Sequence, residues 1–153
     1  MTTSRDLARL CAARSILLIY ISTDYVFSGR PGEAPYSASH ATEPTTLYGK
    51  QKRDGELAVL EEFEKLPESE GLGVVLRVPV IYGNVEMPAE SAVAALMDVV
   101  WRAQKAVDEH GRGENAPKIK VDHWALRHPT CTEDIGRVCH GESCVFWSAS
   151  TVN

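Results

Sequence analysis

Tyr48 and Lys52 stand four residues apart, the spacing that puts two side chains on one helix face about one turn from each other. A tyrosine hydroxyl ordinarily ionises near pH ~10. An ammonium alongside favours the phenolate, so the pair predicts a tyrosine able to work as a general acid at neutral pH. Gly55 and Val59 continue the same line, and a glycine there lets the helix approach its neighbour closely. Two hydroxyls, Ser22 and Thr23, stand where the apolar run 15–22 (SILLIYIS) gives out. The carboxyl ends of strands are where open α/β sheets bind ligands. Taken alone, Thr23-Asp24 reads as a turn with a side-chain-to-backbone bond. Together with Tyr48, Lys52 and the later Arg77-Val78-Pro79, it reads as one edge of a site.

The elements that must position these residues follow from the pattern. Residues 3–13 read as the end of an amphipathic helix with Leu7, Leu10 and Cys11 at helical spacing. The run 15–22 is β-branched without alternation, the pattern of a strand buried on both faces of a parallel sheet. A loop rich in Gly, Pro and Ser occupies 28–43, and Pro44 with Thr45 and Thr46 predicts a helix over 46–65. A second buried strand is expected over 74–78, stopped by Pro79. Residues 90–105 predict a helix with Val93, Leu96, Met97 and Val100 on one face, residues 108–117 a surface loop, and 119–121 a short strand. Thr130 and Glu133 fit a capping box ahead of a helix over 132–138. The order of helices and strands says α/β.

The chain has 153 residues, 44% apolar and 24% charged, the composition of an ordinary globular domain. Its net charge of -5 argues against nucleic acid, which needs a basic face. Seven acids and two bases lie within 53–70, the whole of the imbalance, and this stretch reads as a solvated helix face. No apolar run approaches the roughly 20 residues of a membrane span, and no secretory leader is expected. Cys139, His140 and Cys144, with His123 and His128, match no finger or ribbon spacing, so no metal is expected and the four cysteines read as reduced cytosolic thiols.

Three segments carry a family resemblance: Ile21-Ser22-Thr23-Asp24-Tyr25-Val26-Phe27-Ser28-Gly29, Leu47-Tyr48-Gly49-Lys50-Gln51-Lys52, and Leu76-Arg77-Val78-Pro79-Val80-Ile81-Tyr82-Gly83. They resemble the extended short-chain dehydrogenase/reductases, in the dTDP-4-dehydrorhamnose reductase branch. Glu90-Ser91-Ala92-Val93 and the stretch from Asp122-His123-Trp124 to Thr130 resemble a narrower subgroup, the regulatory beta subunits of methionine adenosyltransferases.

The resemblance implies a partial Rossmann-like parallel sheet with flanking helices, its N-terminal strands missing. It implies one truncated domain over 1–153, in which 84–153 begins the substrate- or partner-binding part. Thr23 would bond a substrate carbonyl, Tyr48 would donate the proton, and Lys52 would lower the tyrosine's pKa and hold the nicotinamide ribose. Tyr48, Lys52, Pro79 and Ile81 would line NADP. No G-x-G-x-x-G turn is present, since Leu76 and Ala116 stand where its third glycine would be, so NADP binding by this chain is expected to be weak or absent and catalysis is not expected. Val145-Phe146-Trp147-Ser148 resembles a family strand. The implied role is a cytoplasmic, non-catalytic regulator of S-adenosylmethionine synthesis whose partner is the catalytic subunit of methionine adenosyltransferase. The alternatives are an NADP-dependent sugar-nucleotide reductase and a non-functional fragment.

Overall fold

The first strand begins three residues later than its apolar run. Ser15, at φ +52°, turns the chain out of helix α1 (Thr2–Ala12) while the Ile16 N–H donates to the Cys11 carbonyl at 2.9 Å. That back-bonded turn closes the helix C-terminus and consumes residues 13–16. Strand β1 then spans Leu18–Thr23 and pairs in parallel with β2, Gly73–Val78, in the register Leu18↔Gly73 to Thr23↔Val78. Helix α2, Leu47–Phe63, lies between them in sequence, which makes the β-α-β unit that parallel neighbours require. The Thr46 hydroxyl accepts from the Gly49 N–H at 3.0 Å, an N-cap worth about 1 kcal/mol. The structure, a computed structural model, describes residues 2–66, 72–111, 120 and 127–150.

Compactness divides the chain into two units, one running to Val78 with residues from Gly136 onward, the other Pro79–Ile135. The core of the first unit is Ala8, Ala12, Val59 and Phe63, packed by Cys11, Leu18, Tyr20 and Leu66. Helix α1 therefore meets α2 through its alanines and Cys11, and the expected apolar face is only partly right: Leu7 and Leu10 are about half exposed. Small side chains let the helix axes approach, and Arg5 completes the contact from the side with bonds to Glu61 (2.6 Å) and Glu62 (2.9 Å). The strands are also less buried than their sequence predicts. Every residue of β2 is half-buried, and Ile21 is exposed. The pair is two strands wide among the described residues, with α2 against both strands and α1 against α2.

In the second unit β3 (Ile81–Tyr82) pairs in parallel with β4 (Thr130–Cys131), extended by the Thr130 N–H to the Val80 carbonyl. Thr130 is thus a strand residue, and the predicted capping box is replaced by a sheet pairing. Helix α3, Ala92–His110, is capped by the Ser91 hydroxyl on the Ala94 N–H. It continues through 108–110, which read as loop in the sequence. Most of the face read from its sequence is turned out: Leu96, Met97 and Val100 are exposed, while Val93 of that face is half-buried together with Ala95, Val99 and Ala103. Helix α4 spans Thr132–Ser150. It absorbs both the short helix expected over 132–138 and the segment 145–148 that resembles a family strand: no proline follows Val138, and Gly141 lies within the helix without ending it. The strand expected over 119–121 lies outside the described residues apart from Lys120.

Candidate functional site

The backbone of the site is the carboxyl end of β1. Thr23, its last residue, is 5% exposed. Its hydroxyl oxygen accepts from the Tyr25 N–H at 3.2 Å and donates to the Asp24 carboxylate at 3.2 Å. The threonine thereby caps a single 3-10 turn, Asp24–Val26, which brings the Tyr25 ring edge-on to Tyr48 at a centroid distance of 6.0 Å. Tyr48 lies in the first turn of α2, its side chain about half exposed.

One turn further along α2, the Lys52 ammonium donates to the Ile21 carbonyl at 2.8 Å. It also sits 5.1 Å over the Tyr20 ring, a cation–π contact worth about 0.5–1 kcal/mol at such sites. Thr23, Tyr48 and Lys52 are therefore gathered at one strand end, through Tyr25 in one case and Ile21 in the other. Pro79 and Ile81 belong to the second unit. Pro79 directly follows β2 and is half-buried, and Ile81 opens β3 with its carbonyl accepting from the Ser91 hydroxyl at 3.5 Å.

Close packing holds α2 on this strand end. A Cβ on buried Gly49 would run into the Tyr25 carbonyl, and one on Gly55 into the Tyr20 hydroxyl. The approach expected of Gly55 is real, but what it meets is a side chain. Burial pushes the Tyr20 phenol above its usual ionisation range, and the Glu56 carboxylate adds to that.

One residue central to this end is not singled out by the sequence. Glu56, taken as part of a solvated acidic face, is 1% exposed. It accepts from the Ser22 hydroxyl at 2.5 Å and from Arg77 Nε and Nη2 at 2.9 and 2.7 Å. Glu62 of the same face is also buried, and bonds from Lys65 and then Arg5 hold its carboxyl below the usual range. The signal for Glu56 was its place four residues after Lys52, on the line that already carried the site. Among the described residues no group of His, Cys, Asp and Glu could hold a metal ion. His123 and the side chain of Cys144 lie outside those residues. No helix among them is long and apolar enough to cross a membrane.

The family model described as RmlD substrate binding domain matches residues 1–141. The chain is 42% identical over 137 residues to methionine adenosyltransferase 2 subunit beta of Rattus norvegicus, covering 89% of this chain and 34% of the relative. It is 34% identical over 152 residues to a dTDP-4-keto-6-deoxy-D-glucose reductase of Streptomyces niveus, covering 96% of this chain and 45% of that one. Among solved structures, the crystal structure of dTDP-4-dehydrorhamnose reductase from Bacillus anthracis in complex with NADP matches with a TM-score of 0.51 and 26% identity, over 66% of this chain and 32% of that chain. The chain spans about a third of the length of the beta subunits it matches.

Proposed function

The chain belongs to the RmlD substrate binding domain family, and from that premise we propose that it is part of a regulatory, non-catalytic subunit of methionine adenosyltransferase. The observation that carries the reading is the 42% identity over 89% of the chain to a methionine adenosyltransferase 2 subunit beta. The partner of such a subunit is the catalytic chain that makes S-adenosylmethionine, and its compartment is the cytoplasm. The strand-end site is read as the nicotinamide side of an NADP site inherited from reductases.

The donor set fits that group. An ammonium has three N–H donors, and Lys52 directs one to the Ile21 carbonyl, so the ribose hydroxyls would be held by the other two. The half-exposed Tyr48 ring would lie beside the nicotinamide, while a role for Pro79 and Ile81 rests on the family resemblance alone. NADPH supplies hydride chemistry where it is bound in reductases. Here these residues bind and orient. The second reading, a sugar-nucleotide reductase, is favoured by the gathering of Thr23, Tyr48 and Lys52 at one strand end, with Thr23 bonding a carbonyl and Tyr48 donating a proton.

One experiment separates the two. The chain is mixed with a catalytic methionine adenosyltransferase subunit for size-exclusion chromatography, and separately with NADPH and dTDP-4-dehydrorhamnose. Co-elution without NADPH consumption is the result that the regulatory reading requires. Consumption of NADPH without co-elution overturns the regulatory reading in favour of the reductase. Calorimetry is expected to give an NADPH affinity no tighter than about 1 mM, some 4 kcal/mol. Two or three contacts at about 1.5 kcal/mol each come to about that much before the cost of association is subtracted. A micromolar value would mean that the chain also holds the pyrophosphate.

A further inference from the structure

The ends of β1 and β2 are joined by more than their ladder. Ser22 precedes Thr23 on β1 and gives its hydroxyl hydrogen to Glu56. Arg77, opposite Ser22 in the register, forks onto both oxygens of the same carboxylate. The third arm of the guanidinium, Nη1, donates 3.0 Å to the Ala38 carbonyl in the loop that joins β1 to α2. The guanidinium carbon lies 5.2 Å from the centroid of the Phe27 ring. Phe27 in turn stacks on Tyr36 at 4.2 Å, and both rings meet His40 edge-on. A planar cation with five donors in a fixed fork suits this arrangement, in which one side chain must satisfy a carboxylate, a carbonyl and an aromatic face together. A lysine could serve only one of these fully.

We propose that Glu56 and Arg77 are positioning residues for the strand-end site. They tether the 27–40 loop to the strand ends, and so fix the turn at Asp24–Val26 through which Thr23 and Tyr25 set the place of Tyr48. The functional meaning of this tether rests on the reading of Thr23, Tyr48 and Lys52 given above; the tether itself does not. Glu56 touches no reacting atom and acts through Ser22 and Arg77. The acidic stretch 53–70 is thus a mixture, in which one carboxylate organises a site from beneath.

The test compares Arg77→Lys with the unaltered chain by amide hydrogen exchange. Lysine keeps the charge beside Glu56 and loses the reach to Ala38, so the fold is retained. The expected result is exchange at least tenfold faster at the Tyr25 and His40 amides, which bond to the Thr23 hydroxyl and the Ser37 carbonyl. Amides in the middle of α2 should stay within twofold. Selectively labelled tyrosine, assigned through Tyr48→Phe, should show the Tyr48 ring signal shifted, a change that a purely stabilising role for Arg77 would not produce. Unchanged exchange at Tyr25 and His40 overturns the proposal, and so does equal acceleration of every amide. An NADPH titration followed on the same tyrosine signal keeps the two readings apart. If the unaltered chain gives no response, the nucleotide reading fails, and the exchange data still decide the tether.

Discussion

At the scale of single residues, the charge buried at Glu56 is the most consequential feature. A carboxylate that is 1% exposed is tolerable only while its bonds are made. Arg77→Ala leaves it with the Ser22 hydroxyl alone and is expected to cost about 3–5 kcal/mol, read from urea unfolding. A loss below about 1 kcal/mol would mean that water replaces the guanidinium and that the site is open. Titration acts elsewhere. Bonds from Lys65 and Arg5 hold the Glu62 carboxyl below its usual range, and bonds from Ser28 and Tyr36 do the same for Glu33. A depressed carboxylate stabilises the fold in full above the ordinary value near pH ~4.3. That contribution is lost as pH falls through the folded value. Thermal melts should therefore decline as acid passes below about pH 4.3, and Glu62→Gln should flatten the decline.

At the scale of elements, α2 is set on its strand by what it lacks. A methyl on Gly49 would collide with the Tyr25 carbonyl, which is main chain, and one on Gly55 with the Tyr20 hydroxyl, the far end of a side chain. Backbone yields less readily than a ring that can swing. Gly49→Ala is expected to destabilise by about 1–3 kcal/mol, in the range of overpacked cores, and Gly55→Ala by less. Urea midpoints of the two variants check the order, and the reverse order would show that Tyr20 is the more rigid neighbour. Tyr20 has good reason to be held, since its ring carries the Lys52 ammonium.

At the scale of the whole molecule, apolar surface is left uncovered in both units. Ile16 and Ile21 are exposed around β1, and Leu96, Met97, Val100 and Trp101 are exposed along α3. Exposed strand edges and apolar faces of this kind recruit other chains. The purified chain is therefore expected to self-associate or to melt with little cooperativity. Size-exclusion chromatography with a thermal melt is the check. A monodisperse monomer with a sharp transition above about 55 °C, within the range of complete domains, would contradict it.

The parallel β-α-β unit, the capped start of α2 and the one-turn spacing of Tyr48 and Lys52 on that helix were legible in the sequence. Each of these depends on local chemistry: a β-branched run, a threonine ahead of a helix, an i,i+4 spacing. Tertiary structure decided which face of each helix is covered. Leu7, Leu10, Leu96 and Met97 lie outward although their spacing marks them as core, because periodicity gives a face without giving its partner. It also decided the fate of the acidic stretch. Glu56 and Glu61 look alike in sequence, yet Glu56 is buried and Glu61 exposed. Whether Glu56 meets water or a guanidinium depends on Arg77, twenty-one residues away along the chain, and only the pairing of β2 with β1 brings that cation beneath the helix.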